Sequence, residues 1–188
     1  MTTDSTILEM QHISKSFAGV QALRDVTFSC RQGKVHALVG ENGAGKSTLI
    51  KILAGAYQAD SGEIVFKGQH YAGFSARRAI ATGIGIIYQE FNLIPYMSVA
   101  ENIFLGRELH NRFGIVDTRR MVKEAAEILG RLGIRLAPTA QVSDLTVASQ
   151  QMVEIAKALS QHADLIVMDE PSAILAGHEL ESLFAIIR

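Results

Sequence analysis

A single cysteine, Cys30, excludes any intrachain disulfide, so packing alone must hold the fold, and a reducing compartment fits. Neither sign of charge dominates: 18 Lys and Arg stand against 19 Asp and Glu, for a net charge of −1. That balance excludes a general electrostatic attraction to nucleic acid or to an anionic membrane. No apolar run approaches the ~18–20 residues that a membrane-spanning helix needs. The opening residues, MTTDSTILEM, carry an acid and no long apolar stretch, which is not the pattern of a signal peptide. Internal repeats, low-complexity tracts and flexible linkers are missing as well. What remains is a chain of 188 residues, 48% hydrophobic and 20% charged, long enough for one well-cored domain. A soluble, cytoplasmic protein is the expectation, with any link to a membrane made through a partner.

Short strands separated by turns are expected first. ILEMQHI, RDVTFSC and KVHALV alternate or cluster apolar residues, and Gly19 and Arg31-Gln32-Gly33 punctuate them. Cys30 reads as an ordinary strand residue. Residues 46–54 (KSTLIKILA) have a helical pattern that Gly55 would cap, GEIVFK at 62–67 is a strand, and a short buried strand covers 84–88. From 97 to 135 the pattern becomes helical, with Thr118 as an N-cap and Gly133 as a stop. A further helix places Met152, Ile155, Ala156 and Leu159 on one face. The apolar run LIVMDE at 165–170 and a helix over 178–188 complete the chain. Strands alternating with helices imply an α/β fold with a mostly parallel sheet, and the block at 97–150 reads as a helical insertion.

Residues 40–48, GENGAGKST, match G-x-x-x-x-G-K-[ST] in full, between an apolar run and a helical one. The residue types suit a phosphate. Gly40, Gly43 and Gly45 let the backbone curl without Cβ clashes, so successive N–H groups form an anion nest. The helix that follows adds the partial positive charge of its N-terminus. Lys46 reaches the β- and γ-phosphates, Ser47 offers a hard oxygen to Mg²⁺, and Thr48 donates to a nearer phosphate. The whole stretch is therefore the expected phosphate site: Gly40, Glu41, Asn42, Gly43, Ala44, Gly45, Lys46, Ser47 and Thr48. LIVMDE supplies its acidic half. Asp169 is expected to hold the metal, through water where Mg²⁺ keeps its hydration shell, and Glu170 to orient the attacking water as a base.

This combination resembles the nucleotide-binding domain of ATP-binding cassette (ABC) transporters over essentially the whole chain. The resemblance rests on the phosphate loop, on IIYQEFNLIPYMSVAENIFLG around Gln89, on the signature region LTVASQQ and on DEPSAILA at 169–176. The wording of QQMVEIAKALS is most similar to importers of the ribose, galactoside and xylose type, in which two such domains share one chain; this one would be the first. It implies a P-loop NTPase (RecA-like) core with an N-terminal antiparallel β subdomain and an inserted helical subdomain: 1–92 and 151–188 as core, 93–150 as helices. It implies an ATPase that powers sugar import, with ATP and Mg²⁺ as cofactors. The partners would be a second nucleotide-binding domain, membrane permease subunits and, indirectly, a sugar-binding protein, with no nucleic acid. The place would be the inner face of the cell membrane. By position, Phe17 would stack on adenine, although it also suits a core, and Gln89 would serve Mg²⁺ and the attacking water. Residues 91–106 resemble the surface that receives a permease, or else form the core of the helical insertion.

Three departures from the family pattern matter. The chain ends at Arg188, ahead of the strand on which the family carries its switch histidine, so a fragment without its C-terminal strands, still able to bind ATP, is expected. His178 falls too early to be that histidine. Ala176 stands where the family has an interfacial aspartate. And the signature residues Thr146, Val147, Ala148, Ser149 and Gln150 lack the two glycines of Leu-Ser-Gly-Gly-Gln. In the family this turn caps the phosphate bound to the opposite domain. Were either glycine position to require φ > 0, the β-branched Val147 would be a steric outlier; in a helical backbone both replacements fit, and only close approach is lost. A weakened cap in trans is therefore expected. The competing expectations are a nucleotide-binding module without turnover, or a soluble ABC protein of DNA repair or translation, although the latter would carry a long coiled coil or a basic surface.

Overall fold

A computed structural model describes residues 5–41, 43–88, 92–161, 163–169 and 177–187, without the side chains of residues 178, 179 and 182. They form two compact units, 1–84 and 85–188. In the first, β1 (Thr6–Phe17) pairs antiparallel with both β2 (Val20–Arg31) and β3 (Ser61–Phe66), and β4 (Gln69–Tyr71) adds to β3, giving the order β2-β1-β3-β4. The mostly parallel sheet expected from strand–helix alternation does not organise this unit. β1 reaches β2 through two residues, Ala18 and Gly19, and β3 reaches β4 through Lys67 and Gly68, links that only antiparallel neighbours allow. All four take positive φ, from 44° to 85°, as mirror-image hairpin turns require. Leu8 lies between Cys30 and Phe66 and Met10 between Phe28 and Ile64, so the middle strand lines a core in which Leu8, Met10, Ile64 and Phe66 are all but inaccessible.

Two helices complete this unit, α1 (Lys46–Leu53) and α2 (Ala76–Thr82). Leu49, Ile50, Ile52 and Leu53 bury one side of α1, which ends at Ala54 with Gly55 in the left-handed region, φ 73°. Gly55 is doubly required, because a Cβ there would run into the backbone of Ser75 and Ala76. One expectation fails. KVHALV does not form a strand: residues 34–40 join no ladder among the described residues, and Val35 and Val39 are 75% and 88% exposed. A continuous apolar run becomes a strand only when neighbours supply hydrogen bonds on its edges, and composition cannot provide the neighbour.

The second unit pairs β5 (Ile84–Ile87) with β6 (Leu165–Met168) and carries α3 (Val99–Ile103), α4 (Thr118–Arg131), α5 (Val147–Leu159) and α6 (His178–Ile187). At five residues α3 is too short to persist on its own helical propensity. A reciprocal cap holds it: Ser98 Oγ accepts from Glu101 N–H at 3.2 Å, and the Glu101 carboxylate accepts from Ser98 N–H at 2.7 Å. The carboxylate also accepts from Ser98 Oγ–H at 2.6 Å, and that bond first, then the one from Ser98 N–H, holds the Glu101 carboxyl below its ordinary pKa. The N-cap of α4 is Asp117, whose side chain accepts from Arg120 N–H at 3.0 Å, so the helix starts one residue earlier than expected and Thr118 is its first residue. Its stop is as expected, with Gly133 at φ 68° and Ile134 N–H donating back to Leu129 O. Met121, Ala125 and Leu129 on α4 join Val153, Ile155 and Ala156 of α5 in one core, with α3 packed against both helices.

Candidate phosphate site and signature turn

The loop at 40–45 sits between β2 and α1, and its glycines are demanded by geometry. Gly43 and Gly45 have φ of 84° and 88°, and Gly45 is the N-cap residue of α1. A Cβ on Gly45 would stand 2.6 Å from Leu23 Cδ2 and 2.7 Å from Ala22 O, so here the loop lies directly against β2. Gly45 O accepts from Leu49 N–H at 2.9 Å, the first turn of the helix. Its N-cap, Gly45, has no side chain to cap that start, a place where N–H groups suit an outside acceptor. Lys46 folds back across the loop, its Nζ donating to Gly40 O at 2.7 Å and Glu41 O at 3.0 Å. The ammonium is thus held at the loop by two weak neutral acceptors that phosphate oxygens would outcompete. Ser47 is exposed on the first turn and Thr48 half-buried. Asn42 lies outside the described residues.

Phe17 ends β1 at the hairpin and is 38% exposed. Its ring meets Tyr57 edge-on, with centroids 5.1 Å apart, and Lys15 Nζ lies 5.4 Å from its centroid. One ring edge is therefore packed while part of the side chain stays open. In the second unit Asp169 follows β6 and its N–H donates to Ile87 O at 2.9 Å, which fixes the carboxylate's backbone at the strand end. Gln89 and Glu170 lie outside the described residues, as does Ala176.

The signature turn resolves the question its sequence poses. Thr146 is the N-cap of α5 with φ −63° and ψ 156°, its Oγ1 accepts from Ser149 N–H at 3.2 Å, and Val147 is the first helical residue. Val147 and Ala148 are therefore ordinary helical residues, and neither is among the residues with positive φ. Gln150 Nε2 donates to Val142 O and Leu145 O, tying the helix start to the single 3-10 turn Val142–Asp144. Two features escaped the sequence reading. Glu154 is buried, 7% exposed, with its carboxylate accepting from Asn92 N–H, and Asn102 is completely buried among the carbonyls of residues 94–98. A charged residue inside the apolar stretch MVEIAKAL was the visible sign of the first.

A glycine-rich loop at the start of a helix, with an antiparallel sheet in the same unit and a helical block later in the chain, is the pattern of a nucleotide-binding cassette. The ABC transporter family matches residues 23–173, and the chain belongs to that family. Among its relatives it is 56% identical over 182 residues to the ribose import ATP-binding protein RbsA 1 of Rubrobacter xylanophilus. It is 50% identical over 188 residues to the protein of the same name from Streptomyces avermitilis. A putative ribose/galactose/methyl galactoside import ATP-binding protein 2 of Agrobacterium fabrum is 53% identical over 182 residues. The matches take in 97–100% of the chain but only 36% of each relative, so the chain spans about a third of their length. In three dimensions it is similar to crystal structures of an ATP-binding cassette of an ABC transporter in its ADP conformation and of a nucleotide-free one. Both have a TM-score of 0.83, at 27% and 28% identity, over 97% of this chain and 76% of theirs. The P-loop NTPase fold of the cassette is thereby established, with the antiparallel β sheet at its N-terminal end.

Proposed function

We propose that this chain binds ATP with Mg²⁺ at residues 40–48 and hydrolyses it to drive the import of a sugar through a membrane ABC transporter. The observation that carries the reading is the loop itself: two left-handed glycines, a helix start with glycine as its N-cap and an ammonium parked on carbonyls 2.7 and 3.0 Å away. The names of relatives at 50–56% identity support the choice of a sugar, ribose or a galactoside, as cargo. The donors present fit the cofactors. Lys46 and the N–H groups at the start of α1 suit phosphate, while the Ser47 hydroxyl and the Asp169 carboxylate are hard oxygens of the kind Mg²⁺ takes. Bound Mg²⁺ would neutralise charge on the β- and γ-phosphates. Phe17 offers adenine a π-face, Gln89 and Glu170 orient water, and residues 145–150 cap the γ-phosphate of a second nucleotide-binding domain. The permease would seat on residues 91–106 at the cytoplasmic face, since no helix among the described residues is long and apolar enough to cross a membrane.

Equilibrium ATP binding and single-site turnover test the reading. Lys46→Ala is expected to weaken ATP binding strongly, and Glu170→Gln to leave binding intact while abolishing turnover. ATP affinity unchanged by Lys46→Ala would overturn the site, and copurification without any permease would overturn the partner.

A further inference from the structure

The link between α3 and α4 presents apolar side chains to water. His110 and Val116 form an isolated antiparallel bridge, and between them the chain reverses through Gly114, φ 76°. Asn111 builds the turn. Its Oδ1 accepts from Phe113 N–H at 2.9 Å and Ile115 N–H at 3.1 Å, its own N–H donates to Ile115 O at 2.8 Å, and its C=O accepts from Gly114 N–H at 3.0 Å. Asp117 N–H closes the base on Leu109 O at 2.7 Å. This hairpin takes its shape from hydrogen bonds and not from burial, because its apolar side chains stay outside: Phe113 is 72% exposed, Ile115 64% and Val116 45%. Three large apolar residues within four positions form a patch, where single ones would need no explanation.

The charge around the patch is mostly of one sign. Arg112 lies over the Phe113 ring, its guanidinium carbon 4.7 Å from the centroid, and exposed Arg119, Arg120 and Lys123 follow in the first turns of α4. The nearby acids are engaged: Glu108 Oε1 accepts from Gly106 N–H at 2.9 Å, Asp117 caps α4, and Glu124 pairs with Arg120 at 2.8 Å. With all of them counted, and Arg107 as well, residues 107–124 carry +2 in a chain of net −1, so the balance of the whole hides a local excess. Helix electrostatics favours acids in a first turn, yet α4 has none there and two arginines instead. That placement makes the helix start harder to form and is accounted for by an anion outside the protein.

We propose that the hairpin at 110–116 and the first turns of α4 form a contact for an anionic lipid surface. Phe113 and Ile115 enter the boundary between head groups and acyl chains, while Arg112, Arg119, Arg120 and Lys123 meet the head-group phosphates. The order of the groups suits a bilayer, since the apolar tip leads and the cations follow, as acyl chains lie beneath phosphates. Arginine and lysine can keep their charge among the phosphates while their stems lie along apolar surface. Each contribution is weak, and together they give a reversible attachment, because one signal alone holds a protein to a membrane only marginally.

Co-sedimentation of the protein with lipid vesicles tests this without nucleotide, so the outcome is separate from the ATPase reading. Vesicles of phosphatidylcholine with about one third phosphatidylglycerol are expected to bind it, and phosphatidylcholine alone to bind it about tenfold less. Raising salt from about 0.1 M to about 1 M shortens the Debye length from ~10 Å to ~3 Å and is expected to release it. Phe113→Ser/Ile115→Ser and, separately, Arg112→Gln/Arg119→Gln are each expected to lower the partition coefficient by about tenfold or more, a basic residue near an anionic surface being worth about fivefold. All four side chains are exposed, so unchanged thermal unfolding is expected; should the apolar pair fail to fold, the arginine pair decides. Failure to bind the acidic vesicles, equal binding to both kinds, or undiminished binding by the arginine pair overturns the proposal. A pair that keeps vesicle binding but loses a copurifying permease overturns it too, and assigns the hairpin to that protein instead.

Discussion

Alanine at Gly45 and at Gly43 should have very different consequences, although both glycines have nearly the same backbone conformation. At Gly43, φ is 84° and nothing among the described residues lies within 4 Å of an added Cβ, so the cost is that of a left-handed alanine, about 1–2 kcal/mol. At Gly45, φ is 88° and the Cβ would stand 2.7 Å from Ala22 O and 2.6 Å from Leu23 Cδ2. Leu23 is only 4% exposed and cannot swing outward, and Ala22 O is part of strand backbone. Overpacking of that kind adds about 1–3 kcal/mol to the same conformational cost. The difference between the two variants is therefore ~1–3 kcal/mol, or roughly 2–12 °C in Tm for a chain of this size. Thermal unfolding followed by circular dichroism measures it, and ATP titration of each variant shows whether the loop keeps its shape. Equal melting temperatures would refute the claim that contact with β2, and not dihedral angle alone, dictates glycine at position 45.

Replacing Asn102 with Leu should destabilise by about 1–3 kcal/mol, because Ile94 N–H loses its acceptor, while the carbonyls of Ile94 and Ser98 lose one donor each and keep Met97 N–H and Asn102 N–H; a shift in urea midpoint at constant slope reads it, and an unchanged midpoint refutes it. Burial raises the Glu154 carboxyl above its ordinary pKa, against the opposing pull of Asn92 N–H and Lys157. The folded state therefore holds this proton more tightly than the unfolded chain does. Its stabilising contribution is complete below the ordinary glutamate pKa of about 4.3 and is lost as pH rises through the folded value. Glu154→Gln should accordingly gain in stability relative to wild type as pH rises across that window, and a pH-independent difference in urea midpoint would contradict the assignment.

Much of this was legible because local signals agreed with one another. The loop at 40–48 announced both its glycines and its lysine, and α4 announced its helical pattern and its Gly133 stop. The strand expected at KVHALV was not legible, since a ladder belongs to two segments and only one of them was being read. The shift of the α4 cap from Thr118 to Asp117 came from two adjacent residues of equal capping ability. Val147 and Ala148 were readable only as a conditional, and the helical backbone decided it. The grip of Glu154 on Asn92 joins residues 62 apart, beyond the reach of any periodicity.

The edge-on pair of Phe17 and Tyr57 has a use that follows from what surrounds it. The chain has no tryptophan and only four tyrosines, so its ultraviolet emission is nearly blank. An indole in place of Phe17 would be its sole strong fluorophore, standing at the hairpin tip with one edge against Tyr57 and part of the ring open. Quenching or a spectral shift on adding nucleotide would then come from that one place, turning a half-packed aromatic into an optical gauge of occupancy that needs neither a label nor a partner.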